Sequence, residues 1–414
     1  MAIAEERSAP DVNKLRSYFP SLSSGFAYLE NAGGSQVPAL VANAIRDYML
    51  TNYVQLGAGY PQSVAATVNE ARAHEFANTF MGGDGIGKTV MASSTTVLVN
   101  MLASAYAESL PKGTRIIAAE SAHEANAGPW VKLSKDGFDF QLWRIDPNSL
   151  QCTLDSLEKL LSEKPTKIVA FPHVSNLLGE IVDARAIADL AHHYGARVVV
   201  DGVAFAPHRA IDVRALDADW YVFSWYKVYG PHMAALFGKS EALAEIKGPN
   251  HFFIPDDSIP YKFELGGVSH EGCAGLNALP GYLNVVCGKP EDAPFTRKTV
   301  VEAFGAMTAL ELPLQKRYID FLRSKPDVRI VGPAHGNENR VTTISFVHSR
   351  LSPPEIVEHV HKNPIGIRYG NAYAYRLCEA LGIDPETGVV RASFVHYNTI
   401  EEIDRLCNAL DAIL

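Results

Sequence analysis

Between about residue 85 and 240, short β-branched and aromatic runs alternate with longer stretches whose apolar positions recur at helical spacing. The runs predict strands at 89–93, 114–119, 140–145, 167–172, 196–201, 220–224 and 233–237. Helices are predicted between them at 96–109, 154–162 and 184–194. Strand–helix alternation of this kind gives an α/β domain with a mostly parallel sheet of seven strands. Runs that stay apolar on consecutive residues, such as Val198-Val-Val200, suit a sheet covered on both faces. After Cys287 the texture changes. A segment rich in Gly, Pro and charge (288–294) precedes a long helical pattern at 300–325 and strands near 328–331 and 341–347. Helices at 354–362 and 400–413 follow, which together read as a smaller α+β unit.

Composition narrows the classes. The chain has 414 residues, 47% of them hydrophobic and 20% charged, with a net charge of −9. These values describe an ordinary soluble protein with ample core. No run of Lys and Arg suits a nucleic-acid or membrane surface, and no apolar stretch has the length to span a bilayer. The first residues hold two early glutamates and no apolar core of leader length. Five cysteines, an odd number without a CxxC pair, argue against a disulfide framework or a zinc site, so no metal is expected. A cytoplasmic location is the expectation.

Candidate chemistry collects where strands end, because open α/β sheets place functional residues at their carboxyl edge. Asp201 ends one run, Ser175 and Asn176 follow another, and Lys227 follows a third. A Ser-Ser-Thr-Thr turn at 93–96 joins a strand to a helix, where hydroxyls and backbone N–H groups make a seat for phosphate. Singly, each reads equally well as a turn or cap residue.

Taken together, the motifs resemble the class V aminotransferase family of fold-type I pyridoxal-phosphate (PLP) enzymes, in its cysteine-desulfurase-like subgroup. The resemblance rests on His173-Val-Ser-Asn-Leu-Leu-Gly179, Val200-Asp-Gly202, Ser224-Trp-Tyr-Lys-Val-Tyr-Gly-Pro231, His123-Glu-Ala-Asn126 and Arg391-Ala-Ser-Phe-Val-His-Tyr-Asn398. It implies a large domain over 30–295 and a small domain from both chain ends, 1–29 and 296–414. It also implies a homodimer with shared active sites, to which residues 261–271 of the neighbour contribute. The implied roles follow PLP chemistry. Lys227 carries the cofactor as a Schiff base, Asp201 faces the ring nitrogen, and His123 stacks on the ring. Asn176 donates to the phenolic oxygen. Thr95, Thr96, Ser224 and Tyr226 hold the phosphate. Arg391 grips the substrate carboxylate bidentately, with Asn31 and Tyr373 beside it.

The chain departs from the desulfurase pattern at its sulfur acceptor. The Arg-x-Gly-x-x-Cys loop reads Arg368-Tyr-Gly-Asn-Ala-Tyr373 here, and Cys378 lies five residues on in a helix-like segment. Without a thiolate in place, sulfur relay lacks its nucleophile. Ala204 stands where Gln or His is usual, which leaves more room. Residues 224–232 and 263–266 resemble a subgroup that includes the PLP cyclase of loline alkaloid biosynthesis. The expected activity is therefore chemistry at the α-carbon of an amino acid, by decarboxylation or Mannich-type carbon–carbon cyclisation in secondary metabolism. A cysteine desulfurase or C–S lyase is the alternative.

Overall fold

The computed structural model describes residues 10–414. The part of the leader expectation that falls on residues 1–9 lies outside them. A two-residue strand, β1 (Ala27–Tyr28), comes first. The main sheet follows as β2 (Gly87–Ala92), β3 (Arg115–Ala119), β4 (Asp139–Trp143), β5 (Thr166–Pro172), β6 (Arg197–Asp201), β7 (Trp220–Ser224) and β8 (Ala234–Lys239). Its order is β2-β8-β7-β6-β5-β3-β4. The strands from β7 to β4 pair in parallel, and β8 runs antiparallel to both neighbours. The fold is the mostly parallel, seven-stranded fold-type I architecture that the alternation predicted.

The core explains the unbroken apolar runs. Side chains of a strand alternate between faces. On β7, Tyr221 and Phe223 enter one core while Trp220 and Val222 enter another on the opposite side. All five residues of β7 are buried. Helices Leu154–Glu163 and Ala184–His193 bury Leu157, Leu161, Ile187 and Ala191 on the first face. Helices Thr95–Ser109 and Glu124–Leu133 cover the second with Leu98, Leu102 and Trp130.

The remaining strands are β9 (Val328–Val331), β10 (Thr343–His348), β11 (Ile365–Gly366), β12 (Arg368–Gly370) and β13 (Val389–Ser393). Four of them form an antiparallel sheet in the order β12-β13-β10-β9, and β1 pairs with β11 in parallel. The last helix, Ile400–Asp411, starts from a capping box of Thr399 and Glu402. Among the described residues, no helix is long and apolar enough to cross a membrane.

Three long helices escaped the pattern reading: Ala39–Thr51, Pro61–Met81 and His270–Val286. Pro61–Met81 buries Ser63, Ala66, Ala73 and Ala77 beside its larger residues, and His270–Val286 contains Gly272, Gly275 and Pro280. A Cβ on Gly275 would come within 2.9 Å of Ile45, so this glycine lets two helices approach closely.

A charged clasp ties helix Pro61–Met81 to the sheet. His74 Nδ1 lies 3.0 Å from Glu70, and Nε2 lies 2.7 Å from Oε1 of the buried Glu264. The same Glu264 oxygen accepts from Met91 N on β2 at 2.8 Å. Burial works to lower the His74 pKa, but the two carboxylates outweigh it and raise the value from 6.5 to about 10. The protonated ring therefore binds two anions and closes a cluster that would otherwise suit a cation.

A raised histidine pKa gives stability that is fully present below the unfolded value and is lost as pH rises through the folded one. His74→Gln is expected to cost on the order of 3 kcal/mol near neutrality, because Glu264 is left buried without its cation. In denaturant melts, the gap between the parent and His74→Gln should narrow as pH rises from 6.5 towards about 10. A gap that stays constant over that window would exclude the clasp as a pH-linked contact.

Candidate active site

The parallel register lines up three strand ends. Pro172 on β5 pairs with Asp201 on β6, and Asp201 pairs with Val222 on β7. The segments that leave these ends, 173–176, 201–204 and 224–227, therefore emerge side by side. With the start of helix Thr95–Ser109 and His123 they enclose about 520 Å³ of empty space, part of it open to solvent. Lys227, Asp201, Asn176, Thr95, Thr96 and Ser224 all line it, as do His123 and Tyr226. The sequence reading thus named eight residues that the fold brings to one cavity.

Each side chain is held by its neighbours. Ser94 caps the helix by accepting from Val97 N, and Thr95 Oγ1 lies 2.8 Å from Ser224 Oγ. These hydroxyls meet the positive end of a 15-residue helix, the arrangement that suits a phosphate. His123 is itself a cap: its Nδ1 accepts from Ala125 N at 3.0 Å. That bond places the proton of the neutral ring on Nε2. Burial, with Lys227 and Arg391 nearby, lowers the His123 pKa to about 3. The Tyr226 ring stacks on His232 with centroids 4.9 Å apart.

Lys227 and Asp201 share the loss of solvent. Burial, aided by Arg391, lowers the Lys227 amine from 10.5 to about 8, against the opposing pull of Asp201 and Glu30. Burial raises Asp201 to about 6, although the Val203 N–H and Lys227 pull it down. Val203 N donates to Asp201 Oδ1 at 2.9 Å, and no donor among the described residues reaches Oδ2. Behind Asp201, His173 stacks on Phe205 at 3.7 Å and bonds Tyr221 Oη at 2.9 Å.

Arg391, on β13, reaches the site buried and not as a solvated strand residue. Its Nη1 donates to Asn176 O at 3.1 Å, and Nη2 lies 3.5 Å from Glu30 Oε1. Glu30 also pairs with Arg368 at 3.0 Å, the residue opposite Arg391 in the β12–β13 register. The sequence reading missed Glu30. Its only signal was the pair of glycines after it: a Cβ on Gly33 would stand 2.1 Å from Glu30 Oε1.

Asn31 is placed differently from the expectation. Its Nδ2 donates to Tyr28 O, Ser393 O and Asn398 Oδ1, and its Oδ1 accepts from Tyr397 at 2.5 Å. A buried amide so fully bonded fastens β1 to the segment after β13 and has no donor left for a substrate. Tyr373 lies over the site, 69% exposed, with its ring 5.3 Å from that of His123. Cys378 is buried among Leu177, Leu178 and Leu377, and burial pushes its thiol up to about 11.

Pyridoxal phosphate fits these residues. Asn176 Oδ1 and Arg391 Nε are buried polar atoms with no partner, and Asp201 keeps a free carboxylate oxygen. An unmatched cation and a free carboxylate oxygen around a depressed lysine match a carboxylate-bearing substrate and a protonated ring nitrogen, and the second N–H of Asn176 Nδ2 is left for a phenolic oxygen.

Comparison with known proteins agrees. The Aminotransferase class-V family model matches residues 27–286 and 301–406. An aminotransferase-like protein of Gibberella zeae is 37% identical over 98% of this chain and 99% of its own length. A cysteine desulfurase-like protein of Aspergillus flavus is 32% identical, covering 98% of this chain and 91% of its own. A nonribosomal peptide synthetase-like enzyme of Aspergillus fumigatus is 36% identical over 97% of this chain, which spans 26% of that protein. Among solved structures, the apo cysteine desulfurase of Thermococcus onnurineus superposes with a TM-score of 0.85 at 25% identity, covering 99% of each chain.

The depressed lysine sets a pH dependence. Adding PLP to the cofactor-free protein should produce a visible band whose rate of appearance rises with pH and levels off above about 8, as the Lys227 amine loses its proton. A midpoint near 10.5 would contradict the burial of the amine. Lys227→Ala should show no such band and no borohydride-fixed cofactor by mass spectrometry.

Proposed function

The chain belongs to the class-V aminotransferase family and works with pyridoxal phosphate, and from that premise we propose that it acts at the α-carbon of an amino acid, by decarboxylation or Mannich-type carbon–carbon cyclisation in secondary metabolism. The observation that carries this reading is Tyr373. A phenol stands in the loop above His123 where the desulfurase pattern has its thiol, while Cys378 is shut in the core. The name of the Aspergillus fumigatus relative, a nonribosomal peptide synthetase-like enzyme, adds support for a biosynthetic setting.

When bound, PLP supplies an electron sink for the bond broken at the α-carbon. The chain's own residues do the rest. Lys227 would attach the cofactor, since burial depresses its free amine to about 8 and so supplies the neutral nucleophile, and its Nζ would carry a proton to and from the reacting centre. Asp201 would face the ring nitrogen and keep it protonated, while Val203 N fixes Oδ1. Neutral His123 would stack on the ring and exclude water from that face. Ser94, Thr95, Thr96, Ser224 and Tyr226, which line the cavity at the helix start, would seat the phosphate. Arg391, whose buried Nε has no partner, would orient the substrate through its carboxylate, and Ala204 on the cavity wall would leave room for a bulky side chain. The second reading, a cysteine desulfurase or C–S lyase, is favoured by the likeness to solved desulfurases.

A homodimer completes this reading. Phe252 (97% exposed), Phe253, Tyr261 and Leu265 crowd apolar surface onto one segment, which supports a second copy as its cover.

The two readings separate on one measurement. PLP-loaded protein mixed with L-cysteine and a reductant should yield neither alanine nor sulfide above the cofactor-only control, while bulkier amino acids shift its visible spectrum. Alanine with stoichiometric sulfide would overturn the α-carbon reading and put desulfuration in its place.

A further inference from the structure

The segment that crosses above His123 is strained. Ala372 and Tyr373 both lie in the left-handed region, with φ of 46° and 62°. Each such residue with a Cβ costs about 1 kcal/mol or more. Tyr373 is too exposed for packing to offset that cost. Hydrogen bonds offset it instead, and two come from the site itself. Asn176 Nδ2 donates to Ala372 O at 2.7 Å, and Glu124 N donates to Tyr373 O at 2.8 Å. Glu124 opens the helix that His123 caps, so its N–H is one of the donors a helix start leaves unmatched.

The flanks are fixed as firmly. Asn371 Oδ1 accepts from Tyr373 N at 2.8 Å, and its Nδ2 donates to Pro385 O at 2.9 Å. Arg376 pairs with the Glu124 carboxylate at 3.2 and 3.3 Å. A Cβ on Gly388 would stand 2.0 Å from the Gly370 carbonyl carbon, so the two backbones touch. Asn176 is the common member. Its amide holds the loop, and its carbonyl accepts from Arg391.

We propose that residues 371–373 form a fixed lid latched by Asn176, and that the Tyr373 ring is the wall that sets how large a substrate side chain the site admits. Asn176 is the positioning residue and Tyr373 the specificity-determining one. The inference rests on the cofactor reading above for its substrate.

Two measurements on the PLP-loaded protein test it. The first is hydrogen exchange of residues 369–377 in the parent and in Asn176→Asp, which keeps the size of the side chain but cannot donate to Ala372 O. Exchange there should quicken about tenfold, with helix Thr95–Ser109 unchanged. Equal exchange in both proteins would overturn the latch.

The second is the rate at which hydroxylamine and bulkier O-benzylhydroxylamine remove the visible cofactor band. The parent should disfavour the bulky reagent. Tyr373→Ala and Asn176→Asp should relax that ratio by about tenfold, and Tyr373→Phe should keep the parent's ratio. An unchanged ratio in Tyr373→Ala would overturn the wall. A parent with no visible band would defeat the cofactor reading instead, and hydrogen exchange would still decide the latch.

Discussion

Three parallel strands that end in register, with a carboxylate at the end of the middle one, are the constraint on which the site depends. Because Pro172, Asp201 and Val222 are ladder partners, three unrelated stretches of chain must leave the sheet within reach of each other. The two buried cores on either face hold that edge rigid and dry. Dryness then does the electrostatic work: the same loss of solvent pushes Lys227 and Asp201 towards their neutral forms. A ligand that brings its own charges repairs both deficits at once. A slip of one residue in β6 would turn Asp201 to the wrong face, and a slip in β5 or β7 would pull that strand's end out of line with it.

The strand ends were legible in the sequence because β-branched runs stop abruptly at polar residues. Asp201 and Ser224 end β6 and β7 as read, and the edges of β3, β4 and β5 shift by no more than two residues. Covered sheets leave such a signature, since every residue of the run is apolar. The helices that pack with small residues left none. Ala66, Ala73 and Ala77 on helix Pro61–Met81 give weak contrast with its polar face, and helix His270–Val286 carries Pro280 in its interior.

The site was legible where a residue works through its own side chain on its own strand end. It was not legible where the work is shared across the chain. Glu30 matters because two arginines from paired strands converge on it, which no local pattern reveals. Asn31 was read as a substrate contact and is instead a four-bonded tie between the start and the end of the chain, whose partners Tyr397 and Asn398 lie more than 360 residues away. The left-handed turn at Ala372 and Tyr373 has no glycine to announce it.

A lid tied down at both ends changes the kinetics expected of the site. Loops that swing open take microseconds to milliseconds and often limit turnover. Beside Glu30 lies a separate cleft of about 750 Å³ bounded by Phe26, Gln36 and Ile367. Side chains there reorient within nanoseconds. If the lid stays latched, exchange through the part of the cavity open to solvent would be governed by affinity and not by a gate, and residence time would become a property of the ligand's own charges.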